Sequence, residues 1–374
     1  MKINIIKAYI LKEFKELVRT KLIIMVYLLP SMIVILFGYG IRMDVSHARV
    51  IIIDNDKSKL SQMLSSKFEH TKYFNSILSN MSEDDALQQI KKAKEDAILI
   101  IPNGFEKNLL KGLKSELGVF VDASFPTRGT TIETYIKATV YSLMNEIAKT
   151  KGIHTKGNIV INNRNLFNQA MRDEDAIVPG LIGLVLLVAP AILAALLIVK
   201  EKEKGTIFNF YASPITKGEF IFAKLFPAFI LHSINIFILF LLAVYLFDVP
   251  FRGNFFLYWL VSEIYIAVSL GIGMLVSVIT KRQIVAVVLT IIITIIPGFL
   301  YSGIIMPISS MDGASQLEAH IFPVMYYNHI IYDTFLIGQG FSSEKNIFYL
   351  FILITYALLL FVLGRALLKK EMSS

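Results

Sequence analysis

The chain has no cysteine in 374 residues. That excludes a disulfide framework, a thiolate metal cluster and a cysteine nucleophile, and says nothing about compartment. Charge is scarce too: 18% of residues are Asp, Glu, Lys or Arg against 55% hydrophobic. With a mean hydropathy of +0.61, this composition suits a bilayer better than water. No G-x-x-x-x-G-K-[ST] sequence occurs, nor H-E-x-x-H, G-x-S-x-G or G-x-G-x-x-G. The chain therefore offers no phosphate-cradling loop and no catalytic motif of its own. It reads as a protein that is not an enzyme and binds no cofactor or metal itself.

What is present is a set of long apolar runs. A bilayer core of ~30 Å needs roughly 20 residues at 1.5 Å rise, and six runs qualify: 22–40, 177–199, 225–247, 255–280, 284–303 and 346–364. The expected fold is an α-helical membrane protein with six transmembrane helices and an inserted mixed α/β extracytoplasmic domain at 41–176.

Lys and Arg accumulate on the cytoplasmic side of short loops. Segments 1–21, 200–224, 281–283 and 365–374 hold six, five, two and three basic residues, whereas 248–254 and 304–345 hold only Arg252 and Lys345. Both termini and the 200–224 loop are thus expected in the cytoplasm of a multi-pass inner or plasma membrane protein. The net charge of +8 is a topology signal and gives no nucleic-acid surface. The 22–40 run is too long for a cleaved signal core and reads as a signal anchor.

Residues 1–21 place Ile3, Ile6, Ile10, Phe14 and Leu17 at helical spacing, with Lys2, Lys12, Lys15 and Arg19 elsewhere on the wheel. This is an amphipathic helix lying on the inner leaflet, an anchor or also a docking face. In the outer module, strands are expected at Val50 to Ile53, Ala97 to Ile101 and Gly118 to Asp122. Helices are expected from Leu60 to Phe68 and from a capping box Thr130-x-x-Glu133 towards Ala148. Asp54-x-Asp56 matches the start of a calcium loop but lacks the Gly and distal Glu, so a strand-end turn is the stronger reading.

The cytoplasmic segment Lys200-Glu-Lys-Glu-Lys-Gly-Thr206 leads to Ile207 to Tyr211, Ser213-Pro214 and a second capping box, Thr216-x-x-Glu219. Phe208, Phe210 and Tyr211 are apolar payload that a solvated loop has no reason to carry; they suit packing on the bilayer or on another protein. After the fifth run, Pro297-Gly298 and Ser302-Gly303 break the pattern, as backbone does where it is protein-buried or lines a cavity. Tyr326, Tyr327, Tyr332 and Phe335, mixed with His329 and Asp333 within Val324 to Gly338, suit a helix lying in the outer interface.

Two ionisable groups lie inside the runs. Glu263 is costly in lipid and should point inward, as a proton relay, a substrate contact or a hydrogen-bonded link between helices. His232 is more readily a helix-to-helix hydrogen bond than a ligand or catalytic group. Runs so bare of charge offer no ladder for a polyanion or a strongly cationic solute, which favours an amphipathic or lipid-like ligand over a polar polymer.

The order of parts, one span, a large outer domain, then five spans with a charged and aromatic hairpin after the second, resembles the permease subunits of type-2 ABC exporters, in the branch with a large extracytoplasmic domain after the first helix. The likeness is carried by Ile177-Val-Pro-Gly180, Lys200 to Thr206 with Ser213-Pro214, Lys224-Leu-Phe-Pro227, and Ser302-Gly303 through Pro307 with Met311, Pro323 and Tyr326. In the outer module Val50 to Asp54, Ile101-Pro-Asn-Gly-Phe105 and Val121-Asp122 are similar to the branch's strand ends. Lys200, Lys202 and Lys204 stand where arginine is frequent.

The resemblance implies export driven by a separate ABC ATPase subunit, which uses the ATP. It places Glu203, Gly205, Thr206, Phe208, Phe210, Tyr211, Ser213 and Pro214 at the coupling contact and Lys7 to Lys21 on an interfacial helix beside it. It also implies a second permease copy or paralogue, and often a periplasmic adaptor protein. The competing expectation is a non-transporting scaffold or receptor whose outer domain binds a ligand or envelope partner. An intramembrane enzyme using Glu263 and His232 is a distant third.

Overall fold

A computed structural model describes the chain except residues 1, 21, 42–44, 46, 93, 112, 114, 123–125, 151–171, 306–307, 309–310 and 369–374. Only backbone is described at 2–5, 22–23, 25, 91, 126–127, 148–150, 209 and 211. Met306-Pro307, the tail from Lys369 and the end of the expected outer module thus lie outside the described residues, as do the side chains of Ile3 and Tyr211. The chain divides into two compact units: Met1–Ile41 with Arg164–Ser374, and Arg42–Asn163.

In the first unit α1 (Lys2–Arg19) and α2 (Leu22–Gly40) open the chain. In the second unit the strands are β1 (Ala48–Asp54), β2 (Phe74–Leu78), β3 (Ala97–Ile101) and β4 (Gly118–Val121), interleaved with α3 (Lys59–Glu69), α4 (Glu83–Lys91) and α5 (Phe105–Leu110) and followed by α6 (Pro126–Thr150). The sheet order is β2-β1-β3-β4, with β1 parallel to both neighbours and β4 antiparallel to β3. Central strands covered on both faces read as unbroken apolar runs. Accordingly Val50 and Ile52 face a core with Leu64, Phe68, Leu99 and Ile136, while Ile51 and Ile53 face Ala86 and Ile98.

Helix α6 begins at Pro126, not at the Thr130 capping box: proline, preset for the first helical turn, opens it four residues earlier. The Asp54-x-Asp56 pair is a strand-end turn. Asp54 accepts the N–H groups of Asp56 and Lys57 at 3.0 and 2.9 Å and the Ser61 hydroxyl at 2.7 Å. Asp56 caps α5 from a distance, accepting the N–H groups of Gly104, Phe105 and Glu106 at 2.7, 3.1 and 3.0 Å. Burial opposes the Asp56 charge, but these bonds and one with Ser58 hold its carboxyl below the ordinary range.

The rest of the first unit is helical: α7 (Asp173–Glu203), α8 (Ile207–Tyr211), α9 (Lys217–Leu241), α10 (Phe255–Ile279), α11 (Gln283–Leu300), α12 (Gly313–Ala319), α13 (Pro323–Tyr332) and α14 (Glu344–Leu367). Among the described residues five helices are long and apolar enough to cross a bilayer, those on α7, α9, α10, α11 and α14. The sixth expected run forms α2, whose fully described apolar stretch is the shorter Val26–Gly40.

Helix α7 is apolar on every side and is the buried post of the bundle. Helix α10 packs on it so closely that a Cβ at Gly273 would stand 2.0 Å from the Ala191 carbonyl oxygen, the small-residue contact typical of membrane helices. Helix α11 buries Ala286, Thr290, Thr294 and Gly298 and leaves Ile284, Val288, Ile292 and Ile296 exposed.

The segment read as a helix in the outer interface packs against the other helices of the bundle. Val324, Tyr327, Ile330, Ile331 and Phe335 are fully buried, and α13, continued by a wider π turn over Asp333–Ile337, packs on α7, α10 and α14. Tyr327 shares a 2.8 Å hydrogen bond with the Ser262 hydroxyl and stacks on Tyr265 with ring centroids 4.0 Å apart.

Candidate functional site

Helix α7 ends where Gly205 takes a left-handed φ of 73°, a conformation that costs glycine nothing and turns the chain into α8. Helix α9 begins at the Thr216 capping box: the Thr216 N–H donates to Glu219 at 2.7 Å and the Glu219 N–H to the Thr216 hydroxyl at 3.3 Å. Between these two stops the hairpin is pinned by its own apolar side chains. Ile207, Phe210 and Ile215 are buried, and Phe210 stacks on Phe220 of α9 with ring centroids 4.1 Å apart. Ser213 closes the turn by donating to the Phe210 carbonyl at 2.9 Å. Phe208 is 52% exposed and Pro214 is exposed too.

Beneath the hairpin lies an ion cluster. The Lys224 ammonium, 2% exposed, donates to Glu13 of α1 at 2.7 Å and to Glu201 of α7 at 2.5 Å. Lys12 lies 3.6 Å from Glu13 and 3.7 Å from Glu201, and Lys200 reaches Glu16 at 2.5 Å. The Thr206 hydroxyl also donates to Glu201. Buried charges persist only when paired and hydrogen bonded, so this network fixes α1, the end of α7 and the start of α9 to one another. The Lys200 bond holds the Glu16 carboxyl below its ordinary range. Burial opposes the charge on Lys12, but Glu201, Glu13 and Glu16 outweigh it and raise its pKa.

The neighbouring pair joins a different turn. Lys202 donates to the carbonyls of Ser277, Val278 (3.0 Å) and Thr280 (3.3 Å) at the end of α10. Glu203 accepts the backbone and side-chain N–H groups of Gln283, at 3.0 and 2.8 Å, at the start of α11. Cation on a helix C-terminus and anion on an N-terminus match the helix dipoles. The charged run thus grips the α10–α11 turn as well as forming the hairpin.

Deeper in the bundle, Glu263 of α10 is half-buried and takes part in a 2.7 Å bond with the Ser233 hydroxyl of α9. His232 is fully buried, its Nδ1 3.1 Å from Asn235, whose amide donates to the Val26 carbonyl of α2 at 3.0 Å. The link from α9 to α2 is therefore made by Asn235, with His232 behind it. The two ionisable residues lie on successive faces of α9 and α10 and no hydrogen bond joins them among the described residues.

Of the polar groups at the other end of the bundle, the sequence marks Asp333 and gives no sign of Asn328. Buried Asn328 donates to the Ser302 carbonyl at 2.9 Å, and buried Asp333 accepts the Asn346 amide at 2.7 Å and the Gly340 N–H at 2.9 Å. These bonds fix the broken chain after α11 and the start of α14. The signal was an Asn or Asp inside an apolar, aromatic stretch.

A family model described as ABC-2 family transporter protein matches residues 20–366, taking in the hairpin, the ion cluster's Lys224 and both polar ends. The chain belongs to the ABC-2 transporter family. It is similar to the probable multidrug ABC transporter permeases YbhS and YbhR of Escherichia coli K12. Identity is 25% over 89% of each chain for YbhS, and 24% over 87% of this chain and 88% of the relative for YbhR. ABC transporter G family member 20 of Dictyostelium discoideum is 22% identical over 96% of this chain, which matches half of that protein. As an ABC-2 permease the chain is a transporter subunit of a family that works with an ABC ATPase and as a dimer.

Proposed function

We propose that the chain forms half of the membrane pathway for ATP-driven export of an amphipathic or lipid-like substrate, energised by a separate nucleotide-binding subunit that grips the α8 hairpin from the cytoplasm. In this reading α2 is the sixth span, since 19 residues reach roughly 28 Å, about one bilayer core. The inserted module expected over 41–176 lies on the outer side, and a second copy or a paralogue completes the pathway. An adaptor that meets the outer unit fits the same arrangement.

The observation that carries the reading is the division of labour on α8. Phe210 is buried as an anchor on Phe220, while Phe208, one turn-face away, is presented outward from a hairpin stiffened by two caps and an ion cluster. A rigid stem with an exposed aromatic is the form of a protein contact. The chain carries no nucleotide motif that would give the hairpin another task. An amphipathic cargo fits spans almost bare of charge, and agrees with relatives named as probable multidrug permeases.

The test is co-expression with a nucleotide-binding subunit. The full chain should co-purify with it and raise its ATPase rate in lipid, and Phe208→Asp should abolish both without unfolding the permease. Unaltered co-purification of that variant contradicts the assignment.

A further inference from the structure

A second feature of the bundle has no part in the coupling site. A groove of about 380 Å³ runs between α9, α10 and α14 and is lined by apolar residues throughout, among them Phe226 and Phe229, Ala267 and Gly271, and Ala357 and Phe361. That volume falls in the range of small-ligand sites, roughly 300 to 1,000 Å³. From Ile221 to Phe229 the groove follows α9 for about 12 Å, long enough for half an acyl chain.

The end of the groove nearest α8 is marked by a cation. Arg365 stands one turn beyond Phe361 on the same face of α14, and Gly218 one turn before Phe222 on α9, whose side chain also lines the groove. A Cβ at Gly218 would lie 3.8 Å from Arg365 Cδ and 3.9 Å from its Nε, so the arginine stem lies across the gap between the two helices. The side chain is exposed and makes no hydrogen bond or ion pair with any described residue. Glu344 and Arg365 are 21 residues apart on α14, about 31 Å along the axis. That separation puts the guanidinium at headgroup depth when Glu344 is at the opposite surface.

We infer that this groove binds an anionic glycerophospholipid of the leaflet on the α8 side, with one acyl chain between α9, α10 and α14 and its phosphate on Arg365. The charge complementarity selects the lipid. A planar guanidinium offers a fork to a phosphate, and at headgroup depth it discriminates an anionic from a zwitterionic lipid by net charge. The apolar groove alone would accept any chain. The inference rests on the membrane placement of α9, α10 and α14 and needs no nucleotide-binding subunit.

The test uses the full-length chain in mixed micelles, with Trp259→Phe removing the single native tryptophan and Phe226→Trp reporting from inside the groove. Quenching is titrated with phosphatidylglycerol and phosphatidylcholine carrying the same brominated chains. Phosphatidylglycerol should reach half-quenching at about a fivefold lower mole fraction, the factor expected for one basic residue at an anionic surface. Arg365→Gln should bring the two lipids together, Arg365→Lys should keep part of the preference, and Ala357→Phe should lower quenching by both by filling the groove. Equal quenching by the two lipids in the parent overturns the headgroup assignment. Absence of quenching, with emission that changes on dilution, assigns the groove to contact with a second copy and overturns the lipid site. Loss of ATPase co-purification leaves every one of these readouts unchanged, so failure of the export reading is told apart.

Discussion

Lys224 of α9 and Glu13 of α1 are joined 2.7 Å apart with side chains 3% and 1% exposed, 211 residues apart in the chain. The pair ties the amphipathic helix to the start of α9, so any displacement of α8 that moves α9 must carry α1 with it. Removing the cation leaves buried Glu13 and Glu201 with the more exposed Lys12, at 3.6 and 3.7 Å, as their remaining charge partner. Lys224→Met is expected to destabilise the permease by about 3 kcal/mol, and Lys224→Met with Glu13→Gln to recover part of that. Thermal unfolding of the purified variants in one detergent measures both; equal melting of wild type and Lys224→Met would remove the cluster from the structural account.

The two phenylalanines of α8 should separate. Phe210→Ala loses the stack on Phe220 and a buried ring, for a cost of about 3 kcal/mol. Phe208→Ala should leave the melting temperature within about a degree and weaken assembly with the ATPase. Melting and co-purification measured on the same preparations distinguish an anchor from a contact.

Acid should act on the sheet-bearing unit through Asp56. Its folded pKa lies below the ordinary value, so its contribution is complete above the unfolded pKa of about 3.9 and is lost as pH falls through the folded one. Replacing it with Ala removes the cap of α5 and should cost about 1 kcal/mol at pH 7. The difference should shrink below about pH 4. Melting curves of wild type and Asp56→Ala from pH 7 to pH 3 test the sign.

Glu263→Gln keeps a group able to bond Ser233 across α9 and α10. The variant should fold with unchanged melting. A change in transport rate would then report a role for the charge in the pathway, and an unchanged rate would leave Glu263 as a link between helices.

Much of this was legible in the sequence for physical reasons. Long apolar runs must be helices in lipid, and Thr216-x-x-Glu219 forms the capping box its spacing specifies. The strands at Val50 and Ala97 appeared as apolar runs because both sheet faces are covered. Strand β2 and helices α4 and α5 were missed: β2 is an edge strand exposing Ile77 and Leu78, and α5 is capped by Asp56 from 48 residues away. Likewise the inward position of Phe210 and the burial of α13 are set by tertiary packing, and an aromatic residue looks the same in a core and at an interface. The charged run read as a single coupling motif; its division among α1, α9 and the α10–α11 turn depends on partners distant in the chain.

The absence of native cysteine permits the most direct measurement. Phe208→Cys in vesicles of known orientation, treated with a membrane-impermeant maleimide, should be labelled only in inverted vesicles and should be protected when the nucleotide-binding subunit is bound. Labelling from the outer side, or equal labelling with and without that subunit, would contradict a cytoplasmic hairpin held by the ATPase.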